Sequence, residues 1–214
     1  NDHVFNKIGI RGRMKVKRVI VLHGLYMSGL VMRPLCSRLE ESGVKVLNLT
    51  YNTRDPNRDA IFTQLDEFIS NEPSALVCHS MGGLVARAYL EANSAPSHHV
   101  EKVITLGTPH TGSHIAEKMQ QKGFELLLKN SVEFLLSKNG DWPFKAKLYS
   151  IAGDLPIGLM PLIVKGSRSD GTVLLDETKL KGMAEHKVFH LSHTSMIYSR
   201  QVVNYILERL NEDI

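Results

Sequence analysis

The chain has 214 residues, 43% hydrophobic and 22% charged, enough for one domain with a sizeable core. Its formal charge of +4 and pI of about 9.0 are basic. The basic residues are scattered, however, and the densest group (Arg11, Arg13, Lys15, Lys17, Arg18) lies near the start. With neither a sustained basic face nor a reader motif, a nucleic-acid partner is not expected. Two cysteines, Cys36 and Cys78, make no disulfide framework and favour a reduced, cytoplasmic setting.

Residues 1–13, "NDHVFNKIGIRGR", are polar and patternless and are expected to form a flexible tail, with a single domain over 14–214 starting at Met14. The following "MKVKRVIVLHGLYMSGL" imitates a leader peptide. Its uninterrupted apolar core, Val19 to Leu22, is shorter than the roughly 7–15 residues a leader needs, so it reads as a buried strand. No run reaches the roughly 18 apolar residues of a membrane span, and no integral membrane segment is expected.

Further short apolar runs occur at Lys45–Leu49, Ala75–Cys78, Lys102–Leu106, Lys147–Ala152 and Lys187–Leu191. Apolar without alternation, they read as strands buried on both faces of a parallel sheet. Helical stripes lie between and after them: Ile61, Leu65, Phe68 and Ile69, then Val203, Ile206, Leu207 and Leu210. The alternation predicts an α/β domain with a mostly parallel sheet of about six strands and helices on both faces.

Two stretches break the alternation. Residues 114–144, notably "GFELLLKNSVEFLLS", have a helical pattern apolar on more than one face, while 155–164 read "LPIGLMPLIV". A surface helix needs only one apolar stripe. The excess is explained either by packing on two neighbours or by a cap over an apolar substrate pocket, with Leu127, Leu128 and Met160 as its lining.

The chemistry centres on "SALVCHSMGGLVARAYL", residues 74–90, where a strand runs into Ser80 and directly on into a helix. Ligands of open parallel sheets bind outside the carboxyl ends of the strands, where Ser80 would stand. So tight a turn needs small residues two before and two after the serine, hence the G-x-S-x-G pattern. Here Cys78 replaces the first glycine and Gly82 keeps the second. The helix start also favours developing negative charge. His23-Gly24 closes the first strand, so an oxyanion hole would take its donors from the backbone N–H groups of Leu25 and Met81. "LGTPHTGS" follows the fourth strand, and "SRSDGTV" and "HLSHTSMI" supply Asp170 and His193, in the order serine, acid, histidine.

Together these features resemble the α/β-hydrolase superfamily, in particular its small bacterial lipases and esterases, from Val19 to the C-terminus. The resemblance implies a compact version of that fold lacking the first two strands of the full sheet, with 114–144 as the helical cap. It also implies a two-step carboxylic ester hydrolysis with Ser80 as nucleophile, His193 as base and Asp170 as orienting acid. The substrate would be a small-molecule ester or lipid, and no cofactor or metal is expected. A thioesterase or acyltransferase would use the same triad, whereas a non-catalytic binding protein of this fold would need none of it.

Several residues compete for these roles. His186, His190 and His193 are rival bases; His190 is expected inside the last strand, and His193 beyond it, where a loop can bring the ring to Ser80. Asp154, ending "YSIAGD", rivals Asp170. His79 is expected to pack away from the site, since neighbouring side chains diverge, and His110 to serve as a structural loop residue.

Overall fold

The computed structural model describes residues 15–121, 129–136, 140–158 and 166–213. Their framework is six parallel strands, β1 (Arg18–Leu22), β2 (Lys45–Leu49), β3 (Ser74–His79), β4 (Val100–Leu106), β5 (Lys147–Gly153) and β6 (Glu185–Phe189), in the order β2-β1-β3-β4-β5-β6. The continuous apolar runs follow from burial on both faces. In β1, Ile20 and Leu22 face one core, shared with Leu76 and Cys78 of β3. Val19 and Val21 face the other, with Ala75 and Val77.

Helices α1 (Gly29–Glu40), α2 (Arg58–Ile69) and α3 (Gly82–Ala92) cover these faces. Met32, Leu35, Cys36 and Leu39 of α1 share one core with Val202, Ile206 and Leu210 of the C-terminal helix, Arg200–Asn211. Ile61, Leu65 and Ile69 of α2 and Leu84, Val85 and Tyr89 of α3 fill the other. Asn57 caps α2, its side-chain oxygen accepting from the Ala60 N–H at 3.0 Å. Lys102, buried in β4, donates from Nζ to the carbonyls of Arg209 (2.6 Å) and Glu212 (2.7 Å), so its charge is met by the orphan carbonyls ending the C-terminal helix. Among the described residues no helix is long and apolar enough to cross a membrane.

The last strand ends two residues earlier than expected. Phe189 turns the chain, its carbonyl accepting from Leu191 N–H (2.8 Å) and Asp154 N–H (3.1 Å), so His190 lies outside β6 and is exposed. In the stretch 114–144, α4 (His114–Gln121) and a short helix over Val132–Leu135 are described. Phe134 and Leu135 are buried in the same core as α2 and α3. Arg58 lies over the Phe134 ring, 4.7 Å from its centroid, and pairs with Glu133 at 2.8 Å.

The strand order reverses about β1, since β2 and β3 lie on opposite sides of it, so the crevice of this sheet opens at the carboxyl ends of β1 and β3. There α3 approaches β1 closely: a Cβ on Gly82 would lie 2.5 Å from the Leu22 carbonyl oxygen. Gly82→Ala is therefore expected to push α3 off the sheet and cost about 1–3 kcal/mol, as core overpacking does. Urea unfolding checks this, and unchanged stability would show that the approach is not tight.

Candidate active site

Ser80 follows β3 immediately and adopts φ 53°, a left-handed conformation that costs a non-glycine residue free energy and must be held by its surroundings. Three contacts hold it. Its N–H donates to the Leu106 carbonyl (2.8 Å), and its carbonyl accepts from Gly83 N–H (3.1 Å) and Thr108 Oγ1 (2.7 Å). The sharp turn lifts the Ser80 side chain out of the core while Cys78 and His79 stay fully buried. Cys78 fits the first position of the motif because it is a small core residue, paired in register with Leu22; burial pushes its thiol pKa up.

After β1 the chain makes a second left-handed turn, at Tyr26 (φ 58°). Tyr26 N–H donates to Thr53 Oγ1 (3.0 Å), Met27 N–H to the Gly24 carbonyl (3.2 Å) and Gly29 N–H to Thr50 Oγ1 (3.1 Å). Tyr51 stacks on His23 at 4.4 Å and donates from its hydroxyl to the His23 carbonyl at 2.6 Å. The segment after β2 thus shapes the loop after β1. Gly24 faces the serine, since a Cβ there would lie 2.8 Å from Ser80 Cβ. Among the described residues, the N–H groups of Leu25 and Met81 have no protein acceptor.

Asp170 and His193 are buried together. His193 Nδ1 meets Asp170 Oδ2 at 2.7 Å, with 9% and 1% of their side chains exposed. Asp170 Oδ1 accepts from Thr172 N–H (2.9 Å) and Val173 N–H (2.8 Å), so the "DGTV" turn aims the other oxygen at the imidazole. His193 N–H donates to the Asp170 carbonyl at 2.9 Å, a second tie between the two loops. The pair sits over the end of β4: a Cβ on Gly107 would lie 2.9 Å from both Asp170 Oδ2 and His193 Nδ1. Gly107 directly follows Leu106, whose carbonyl holds the Ser80 N–H, so the pair and the serine share one corner of the sheet edge.

The rivals are placed elsewhere. Asp154 binds Arg168 (2.7 Å) and the exposed His190 (2.9 Å), and these hydrogen bonds hold its carboxyl below its ordinary range. His186 Nε2 lies 2.8 Å from Thr178 Oγ1. His110 is fully buried with Nε2 3.1 Å from Thr105 Oγ1. Leu127, Leu128 and Met160 lie outside the described residues.

Sequence reasoning missed Thr108, Tyr51, Thr53 and Glu177. Glu177 is buried and accepts from the backbone N–H groups of His114 (2.6 Å) and Leu174 (2.7 Å), joining the start of α4 to the loop that carries Asp170. Only Thr108 carried a signal, since it lies in the "LGTPHTGS" stretch already singled out.

This sheet order, with a left-handed serine after its third strand and a buried acid–histidine pair at the same edge, defines the α/β-hydrolase class. Within it, the chain belongs to the family described as the PGAP1-like alpha/beta domain, whose model matches residues 58–203 and so spans Ser80, Asp170 and His193. No curated protein sequence matches the chain significantly. Solved structures share the fold. The mature form of the Bacillus licheniformis lipase BlEst2 is 21% identical, with a TM-score of 0.74 and 95% of each chain covered. The metagenomic carboxyl esterase MGS0156 is 16% identical (TM-score 0.67; 93% of this chain and 75% of that one). The phospholipase PlaB of Legionella pneumophila is 14% identical (TM-score 0.63; 90% and 61%).

Burial lowers the pKa of His79 and of His110 to about 3. The unfolded chain, with histidines near their ordinary value of about 6.5, binds more protons between those limits. Stability conferred by their burial is therefore complete above about pH 6.5 and is lost as pH falls towards 3. His110→Asn is expected to flatten the fall in unfolding free energy between pH 6 and 4 by about 1.4 kcal/mol per pH unit, one proton's worth. Urea titrations at several pH values check this; an unchanged slope would contradict it.

Proposed function

We propose that this chain is a serine hydrolase of carboxylic esters, with Ser80 as nucleophile, His193 as general base and Asp170 as the acid that orients it. The observation that carries the reading is the buried 2.7 Å pair of His193 and Asp170 at the sheet corner that also holds the left-handed Ser80. Structural neighbours described as a lipase, a carboxyl esterase and a phospholipase support ester chemistry.

In this reading Ser80 Oγ attacks the ester carbonyl carbon and passes its proton to His193 Nε2. Asp170 fixes Nδ1–H as the second proton position and stabilises the imidazolium. The N–H groups of Met81 and Leu25 receive the oxyanion; losing one such donor costs on the order of 10²–10³ in rate. His193 gives the proton to the leaving alcohol, then takes one from the water that attacks the acyl-enzyme and delivers it to Ser80 Oγ as the acid leaves. Leu127, Leu128 and Met160 are assigned to acyl binding in this reading, with 114–144 as the cap. A small-molecule ester or lipid is the substrate class, in a single domain over 14–214.

Ser80→Ala is expected to abolish p-nitrophenyl ester hydrolysis while leaving the thermal midpoint near that of the wild type. Turnover persisting at the wild-type rate would remove Ser80 from the mechanism.

The two acids separate cleanly. Asp170→Asn keeps the shape but favours the wrong imidazole tautomer, a loss of roughly 10⁴ in kcat where a serine-hydrolase triad is altered in this way. Asp154→Asn loses only an exposed pairing with His190 and Arg168, and kcat is expected to stay close to that of the wild type. The reverse ranking in steady-state kinetics would transfer the acid role to Asp154.

A further inference from the structure

His79 is a fully buried histidine beside the nucleophile, and the mechanism above gives it no role. Its Nε2 lies 2.9 Å from the main-chain carbonyl oxygen of His193. A carbonyl only accepts, so Nε2 carries the proton and donates. The two imidazoles also touch, their centroids 4.6 Å apart at 55°. Nδ1 of His79 is buried with no hydrogen-bond partner among the described residues, and a Cβ on Gly24 would lie 3.1 Å from it. One ring therefore touches the loop after β1, adjoins Ser80 in sequence and holds the loop that carries His193.

We infer that His79 is a positioning residue for the base, a neutral strut whose Nε2–H holds the His193 carbonyl and so ties the base loop to the nucleophile turn. The inference rests on the proposed function, since it assigns His193 as the base. Asp170 takes the N–H of His193 and His79 takes its C=O, so both main-chain groups of this residue are fixed. Two rotatable bonds separate that backbone from the ring, and the side chain's reach to Ser80 depends on where the backbone stands.

The chemistry also explains why a histidine can do this next to a base. The facing titratable groups are His193 and, beyond Gly24, His23, both imidazoles. A second cation here would oppose the imidazolium formed on His193 during catalysis. Burial depresses the pKa of His79 and, less strongly, that of His23, so neither presents a charge at neutral pH. With Nε2–H committed to a carbonyl, His79 does not itself accept the Ser80 proton there.

The test compares His79→Phe, which keeps the ring and removes the donor, with His79→Gln, which retains an N–H donor. With p-nitrophenyl acetate, His79→Phe is expected to lose about 10- to 100-fold in kcat, the scale of a misplaced catalytic group, with KM little changed. His79→Gln should recover most of that loss. A purely structural role would lower the thermal midpoint of both variants and leave kcat per folded molecule unchanged, which would overturn the inference. Equal losses in Phe and Gln variants would overturn it too.

Should His79→Phe fail to fold, ¹⁵N spectra of the wild-type imidazoles decide the matter. The expected result is a His79 ring that stays neutral from pH 8 to 5 as the Nε2–H tautomer. An Nδ1–H tautomer, or titration within that range, would overturn the inference. Ser80→Ala serves as the control: turnover equal to wild type there would sink the hydrolase reading, whereas the tautomer result would stand.

Discussion

The left-handed backbone of Ser80 is the constraint from which the rest of the site follows. A residue with a Cβ does not rest at φ 53° unless neighbouring groups hold it there. The holding groups come from β4 and the loop beyond it, where Leu106 accepts from the Ser80 N–H and Thr108 donates to its carbonyl. The sharpness of the turn brings α3 against β1, and only glycine at position 82 tolerates the 2.5 Å approach to the Leu22 oxygen. Strand order then matters. Because β2 and β3 flank β1, the open crevice lies where Ser80 and Gly24 meet.

Asp170 and His193 reach that corner by a different physical route. Their loops leave β5 and β6 and are tied to each other by side-chain and main-chain hydrogen bonds, all among buried groups. Burial raises the cost of leaving any of these groups unpaired, so the pairings are strongly specified. The same economy governs Asp154 and His190 in reverse. They pair near the same strand ends but in solvent, where an ion pair contributes little to stability.

Much of this was legible in the sequence because it rests on local pattern. β1 announces itself through "VIVL", since both its faces are buried. Ser80 is marked by its strand, its glycines and the amphipathic run after it. The end of β6 was not legible: "KVFHL" keeps its apolar character through Leu191, and only the hydrogen bonds of Asp154 and Leu155 to that segment show where pairing stops. Asp154 remained a rival to Asp170 because it ends a strand-like run directly, whereas Asp170 was favoured by its "DGTV" turn after a longer loop. Their partners, His190 and His193, are three residues apart, and no periodicity distinguishes them. His79 was read as packing away from the site because its side chain diverges from that of Ser80. The structure places it at the site instead, with its ring on the His193 carbonyl and against the His193 imidazole.

The central claim is that the strained turn presents a hydroxyl activated by the buried His193–Asp170 pair. Treatment with a fluorophosphonate at neutral pH, followed by peptide mapping by mass spectrometry, tests it most directly. An ordinary serine does not react, whereas one with a positioned base and oxyanion donors forms a stable phosphonyl adduct. The account predicts a single adduct, on the peptide containing Ser80, and its loss in His193→Ala. An unmodified Ser80 in folded protein, or an adduct that persists without His193, would contradict it.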